Sequence, residues 1–173
     1  MIVNIRYATM ADLDDITSVE SVCFPVLEAA TKEEFEQRIK YFGNHFWLMF
    51  DDDKLIAFVD GFVTDEADLT DEMYENASMH NENGAWQMIF GVNTLPEYRR
   101  CGYAKELIKK AILDAREQNR RGLVLTCKES LVPYYSKFGF IDDGITDKST
   151  HGNVLWHQMR LDFELRNNGV KQI

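Results

Sequence analysis

The sequence predicts a mixed α/β fold built around one central sheet. Three observations carry this. Strand-like and helix-like patterns alternate along the chain, several strand patterns sit side by side as hairpins, and residues 85–118 form a strand, turn and helix unit of the kind that crosses to a further strand. With 173 residues, 45% of them hydrophobic and 12% aromatic, the chain has enough apolar material for a core, and one domain over residues 1–173 is expected. Neither an internal repeat nor a low-complexity linker divides it.

Residues 2–6 alternate and are rich in β-branched side chains, which gives a first strand. Thr9 then offers an N-cap with Asp12 three residues later, and Leu13, Ile16, Val19 and Phe24 keep helical spacing up to Pro25. A second amphipathic helix begins after Thr31, where Glu34 completes a capping box, and runs to about Tyr41. Residues 46–50 and 55–63 read as the two strands of a hairpin joined by an acidic turn over 51–54. Residues 64–84, dense in Asp, Glu, Asn and His, read as an exposed excursion in which Leu69, Met73 and Tyr74 anchor a short helix or loop. Strand composition returns over 85–92 and Pro96 closes it. A helix over 102–118 follows, with Ala104, Leu107, Ile108, Ala111, Ile112 and Ala115 on one face. Residues 123–127 form a short buried-type strand, 131–138 a short helix stopped by Gly139, and 140–145 with 154–163 the last strand pair.

Composition excludes several function classes. Nineteen basic against 29 acidic residues give a net charge of -10, which repels nucleic-acid backbones and anionic lipid and favours a cationic small molecule. The longest apolar runs, over 46–50 and 55–63, are far shorter than the roughly 20 residues of a membrane-spanning helix. Residues 1–10 hold no apolar core of signal-peptide length, and a cytoplasmic protein is expected. Cys23, Cys101 and Cys127 are widely spaced and odd in number, so neither a disulfide framework nor a metal site is expected.

The most informative stretch is Val92-Asn93-Thr94-Leu95-Pro96-Glu97-Tyr98-Arg99-Arg100-Cys101-Gly102-Tyr103-Ala104-Lys105, a strand that runs through a basic turn into a helix. Backbone N–H groups over residues 100–105 point outward at such a helix start, and the positive end of the helix dipole favours a diphosphate there. Gly102 lets a phosphate approach the backbone, Ala104 keeps the turn tight, and Arg99, Arg100 and Lys105 reverse locally the acidic character of the whole chain. The missing Gly-x-x-x-x-Gly-Lys-Ser/Thr pattern argues against a nucleoside-phosphate loop of another type.

Arg99-x-x-Gly102-x-Ala104 after a strand that ends in Pro-Glu-Tyr resembles the coenzyme A pyrophosphate signature of the GNAT superfamily of N-acetyltransferases. Downstream, Leu131-Val132-Pro133-Tyr134-Tyr135-Ser136-Lys137-Phe138-Gly139-Phe140 is similar to the family segment that delivers a tyrosine beside the thioester. The segments 126–135 and 69–72 resemble the arylalkylamine, serotonin-type branch. The resemblance implies a GNAT-type central sheet, mixed but mostly antiparallel, of six to seven strands with about four helices around it. It implies acetyl-CoA as cosubstrate with no metal, and transfer of the acetyl group to a small-molecule primary amine by direct attack in a ternary complex. The chain would act as a monomer or homodimer. The implied cofactor contacts are Val92, Asn93 and Thr94 on the strand and Arg99, Arg100, Cys101, Gly102, Tyr103, Ala104 and Lys105 in the turn, with Val92 and Thr94 offering backbone groups to the pantetheine arm.

The same resemblance selects Tyr135 as the acid that protonates the departing thiolate, a choice periodicity alone leaves open between Tyr134 and Tyr135. An amine of pKa near 10.4 is only about one part in a thousand neutral at pH 7, so a proton must also be taken up. The positions matching the branch's strand histidines are Met88 and Phe90, which accept no proton. His80, His45, Glu28, Asp60 and a chain of water are the alternatives. Trp47, Phe46, Phe62, Trp86 and Trp156 are offered either to an aromatic-amine pocket or to the core. Asp65, Glu66, Asp68, Asp71, Glu72 and Glu75 either steer a cation or keep a loop solvated. Two further functions fit the same pattern: a peptide or protein acetyltransferase, and a non-catalytic coenzyme A sensor.

Overall fold

The computed structural model describes residues 3–165, so Ile2, which the sequence puts at the head of the first strand, lies outside the described residues. Strand β1 (Val3–Tyr7) leads into helix α1 (Leu13–Cys23), entered through a short turn in which the Thr9 amide donates to Asp12 at 2.8 Å. Helix α2 (Lys32–Phe42) starts at the expected capping box: the Glu34 amide donates to Thr31 Oγ1 at 3.2 Å and the Thr31 amide to Glu34 Oε1 at 3.3 Å. The hairpin β2 (Phe46–Asp51) and β3 (Lys54–Asp60) turns at Asp52, where φ is +50°. β4 (Val63–Thr64), α3 (Asp71–Glu75), β5 (Trp86–Ile89), β6 (Gly91–Thr94), α4 (Tyr103–Glu117), β7 (Gly122–Cys127), α5 (Val132–Ser136), β8 (Ile141–Thr146) and β9 (Trp156–Asp162) complete the order.

The strands form two abutting sheets where the sequence suggests one. A four-stranded sheet runs β1-β2-β3-β6 and a five-stranded sheet β4-β5-β7-β9-β8. Every strand pair is antiparallel except β5 with β7, the pair joined across helix α4. The two sheets meet at two breaks that read as continuous strands in the sequence. One is at Gly61, where the second hairpin strand ends. The other is at Phe90, which divides the expected strand 85–92 into β5, belonging to the second sheet, and β6, belonging to the first.

Close approach explains the first break. A Cβ on Gly61 would stand 1.8 Å from the Met88 carbonyl oxygen and 2.8 Å from the Ile89 Cα, so no other residue lets these strands come together. Gly61→Ala is expected to cost about 3 kcal/mol. In urea unfolding this appears as a lower midpoint at unchanged slope.

Two apolar layers flank the sheets. Ile16, Val19, Phe35, Ile39 and Phe42 of α1 and α2 pack with Phe46, Leu48 and Phe58 on one face, while Leu107, Ile108, Ala111 and Ala115 of α4 pack with Met49, Ile56 and Leu123 on the other. Among the aromatics offered to a pocket, Phe46, Trp47 and Phe62 belong to these layers. The acidic stretch 64–84 is less exposed than expected, because Leu69 and Met73 are fully buried and pin α3 against the first layer. Among the described residues no helix is long and apolar enough to cross a membrane.

Candidate active site

The break at Phe90 opens a cleft. β5 stays paired with β7 as far as Ile89 and Leu125, whereas β6 swings across to β3, pairing Asp60 with Gly91 and Ala57 with Thr94. The Leu95 amide bonds to the Ile56 carbonyl at 2.9 Å, and alternation from that bond gives Asn93 to Phe58. Val92 and Thr94 therefore turn their amide edges away from β3 and toward the cleft. Thr94 is partly engaged there, since its carbonyl accepts Arg99 Nε at 3.0 Å and Cys23 Sγ at 3.3 Å. Asn93 departs from expectation: its backbone belongs to the β3 pairing and its side chain is fully buried beside Gly91, so it offers no backbone edge to the cleft.

The basic turn lies at the outer end of the cleft. Pro96–Tyr98 forms a single 3-10 turn that ends β6, after which Arg100 and Gly102 take left-handed φ of +64° and +84°. That pair of conformations bends the chain so that α4 begins at Tyr103 with no side chain capping it. First-turn amides of a helix have no intrahelical acceptor, and those of Ala104 and Lys105 lie in this turn. Nothing stands within 4 Å of where a Cβ on Gly102 would be, so the approach to the turn is open. Arg99, Arg100, Cys101 and Lys105 are exposed around it, and Arg99 is steadied by its bond to Thr94.

A cavity of ≈ 490 Å³ lies at the inner end of the cleft. Ile89, Val92, Leu125, Cys127 and Tyr135 line its junction with the cleft. Tyr135 is 6% exposed and packs edge-on against Tyr134 and Phe140, and burial first, then Tyr134 and Cys127, pushes its phenol above the usual range. It therefore keeps its proton at neutral pH. Tyr134 packs edge-on against Phe138 and does not line the cavity, so the two adjacent tyrosines are told apart by position.

The remaining walls are acidic and aromatic. Glu20, Glu28, Glu34, Asp71 and Glu75 face the cavity against only Arg38 and Lys128. Phe90, Tyr74, His151 and Trp156 form a row of touching rings with successive centroids 4.9, 4.6 and 4.4 Å apart, the last pair stacked and the others tilted. Asp71 holds that row in place: it accepts the Thr150 amide at 2.9 Å and faces His151 Nδ1 at 3.3 Å. Of the acidic stretch, Asp71 and Glu75 reach the cavity, while Asp68 is tied to Lys148 and Arg160.

Behind the cavity sits a buried polar cluster that sequence reasoning missed in part. Arg38 Nη1 pairs with Asp60 Oδ2 at 3.0 Å, its Nη2 donates to the Tyr74 carbonyl at 2.9 Å, and its guanidinium lies 4.9 Å over the Phe90 ring. Burial pushes the Asp60 carboxyl up to about 6, with Arg38 opposing. Asp60 Oδ1 and both amide atoms of Asn93 are buried without a partner among the described residues. Glu20 is 5% exposed, and its carboxyl is pushed up to about 8 by burial, then by the Asp60 charge, with Arg38 pulling the other way.

The two histidines named as proton acceptors do not reach the cavity. His45 and His80 gather instead on Glu82, each Nε2 standing 2.8 Å from Glu82 Oε2, at a spacing that suits a metal ion. The tautomer argues against that use. His80 Nδ1 accepts the Val63 amide at 3.0 Å, and burial and His45 lower its pKa, so its one proton sits on Nε2 and points at the carboxylate. Of the other two acceptors, Glu28 lines the cavity with Oε1 held by Lys128 at 3.0 Å, and Asp60 lies behind it. Met88 is buried in the core and Phe90 forms part of the cavity wall.

The family model for the acetyltransferase (GNAT) family matches residues 13–140. The chain belongs to the GNAT acetyltransferase family. As a GNAT protein it is similar to serotonin N-acetyltransferase of Mesocricetus auratus, 30% identical over 93 residues, which cover 53% of this chain and only 43% of that enzyme. The GNAT fold extends through nearly all of the chain. The loading GNATL domain of CurA from Lyngbya majuscula superposes with a TM-score of 0.82 at 16% identity, covering 96% of this chain and 100% of that one. A chain of the NatC complex bound to Gag peptide and CoA superposes at 0.75 with 11% identity, over 94% and 99%.

Proposed function

We propose that this GNAT protein transfers the acetyl group of acetyl-CoA to a small primary amine. The observation that carries the proposal is the continuous path from the uncapped start of α4, along the Val92 and Thr94 edge of β6, to an acid-walled cavity that holds Tyr135 at its junction. The diphosphate sits on the turn from Arg99 to Lys105, the pantetheine arm lies along β6 as an added strand, and the thioester reaches Tyr135. The amine nitrogen attacks the acetyl carbonyl carbon, the C–S bond breaks as the carbonyl re-forms, and Tyr135 gives its phenolic proton to the thiolate sulfur. Four carboxylates besides Glu20, against Arg38 and Lys128, draw an ammonium group into the cavity, and the row Phe90, Tyr74, His151 and Trp156 offers aromatic surface to an aromatic or alkyl tail.

The cavity favours a small amine. Glu28 of the α1–α2 loop and Gly152 of the β8–β9 loop press together, so that a Cβ on Gly152 would meet Glu28 Cγ at 2.6 Å, and the two loops roof the space. A second function, acetylation of peptide N-termini, is supported by the apolar surface on the same loops, where Val26, Leu27 and Leu155 are exposed. Acetyl transfer to phenethylamine, spermidine and a short peptide, followed by release of free thiol, separates the two. Turnover of phenethylamine or spermidine is the expected result. Turnover of the peptide alone would move the assignment to the second function.

A further inference from the structure

The acetyl transfer proposed above needs a group to receive the ammonium proton, and the walls of the cavity narrow the choice. Asp71 spends its oxygens on Thr150 and His151, Glu34 gives Oε1 to the α2 capping box with Oε2 4.0 Å from Arg38, and Glu28 is ion-paired through Oε1 with Lys128 while its Oε2 is buried without a partner among the described residues. Glu75 is exposed at the rim. Glu20 differs in carrying no ion pair among the described residues and in standing beside Gly91. Among the described residues it projects from α1 with no side-chain partner, held by the Ala30 amide, and its Oε1 stands 3.7 Å from the point where a Cβ on Gly91 would be. Gly91 opens β6, immediately before Val92, so this carboxylate lies where the strand leaves β7 and the thioester must arrive. Asp60 Oδ1 and Asn93 Nδ2 stand 3.3 and 3.1 Å from the same point, so one polar site is shared by three side chains from α1, β3 and β6.

We propose that Glu20 is the catalytic residue that takes the proton from the substrate ammonium, with Asp60 and Arg38 setting the charge around it. The proton passes to Glu20 Oε1, and the freed nitrogen lone pair forms the bond to the acetyl carbon. The C–S bond breaks, Tyr135 protonates the sulfur and regains the second nitrogen proton through solvent. Glu20 then releases its proton to the cavity mouth, so one proton leaves per acetyl group transferred. The charged and titratable groups facing Glu20 are Asp60 on β3, Arg38 and Glu34 on α2, and Cys23 on its own helix. Burial and Asp60 hold the carboxyl near the pH at which a base works best, and Arg38 keeps the ionised form accessible.

The test is Glu20→Gln, which keeps the size of the side chain and removes the charge. With phenethylamine as acceptor, wild-type kcat/KM is expected to rise with pH through about 8, where the carboxyl ionises. The variant is expected to be about 100-fold slower with that rise gone, while its affinity for acetyl-CoA is unchanged. A variant within about threefold of wild type that keeps the rise would overturn the assignment, and a slow Tyr135→Phe in the same assay would then show that acetyl transfer itself stands. Should phenethylamine not turn over, infrared difference spectra of the unliganded protein between pH 6 and pH 9.5 decide the matter. A protonated-carboxyl band lost on raising the pH, and missing in Glu20→Gln, supports the assignment; wild-type spectra without such a band defeat it. Acetyl-CoA affinity, measured alongside by calorimetry, reports separately on whether the transferase function holds.

Discussion

Gly102→Glu is expected to bind acetyl-CoA about 1000-fold more weakly than the wild-type protein while remaining folded. The turn has two features that the substitution opposes separately. Gly102 sits at φ +84°, where a side chain costs about 1–2 kcal/mol, although a Cβ there would touch nothing within 4 Å. The larger effect is electrostatic. The start of α4 presents uncapped amides and the positive end of a 15-residue helix, and a carboxylate at that point occupies the place of the diphosphate and repels it. Two or three charge-assisted hydrogen bonds lost at about 1.5–3 kcal/mol each account for three decades in Kd. Gly102→Ala isolates the backbone term and is expected to weaken binding by no more than about tenfold. Calorimetric titration of acetyl-CoA into the three proteins checks this. Equal affinities for all three would place the diphosphate elsewhere.

What the sequence made legible were features settled within a few residues. The Thr31–Glu34 capping box, the stop before Pro25 and the turn at Gly102 depend on local hydrogen bonds and allowed dihedrals, and each stands where the pattern puts it. The division into two sheets was not legible. Residues 55–63 form one apolar run, and nothing in that run reveals that Gly61 lies against the backbone of Met88, since that contact joins segments far apart in sequence. The same holds for Phe90, whose break between β5 and β6 is set by competition between β3 and β7 for one strand.

The cavity shows the same limit and one exception. That Asp71 and His151 would meet, and that Glu28 would reach Gly152, follows from the β8–β9 loop folding against α3 and the α1–α2 loop, segments far apart in sequence. Glu20, however, did leave a trace. It lies four residues after Ile16 and one after Val19, on the apolar stripe of α1, where a solvated glutamate has no place. Arg38 leaves the same trace on α2, three residues after Phe35 and one before Ile39. A charged residue on the buried stripe of a helix needs a partner or a task, and here the two meet at Asp60.

Tyr135→Phe is expected to lower kcat by about 1000-fold and to leave KM for acetyl-CoA nearly unchanged. Phenylalanine keeps the ring contacts with Tyr134 and Phe140, so the packing of α5 survives and the loss falls on the hydroxyl. Burial keeps the proton on that hydroxyl across the working range, as it does on Tyr74 and Cys127 of the same wall, and of Tyr74 and Tyr135 the latter is the one on α5, which packs over the end of β7; thiolate is a poor leaving group unless a proton arrives as the C–S bond breaks. The pH dependence gives the sharper check. With the phenol held well above its usual range, it does not titrate between pH 6 and 9.5, so the rise through about 8 belongs to the base and any further gain toward the amine's own pKa to the substrate. Tyr135→Phe should therefore keep the rise while losing rate, whereas Glu20→Gln loses both. Acid and base are then separable by the shape of two curves, and a Tyr135→Phe protein as fast as wild type would move the acid to the half-buried Tyr134 or to solvent.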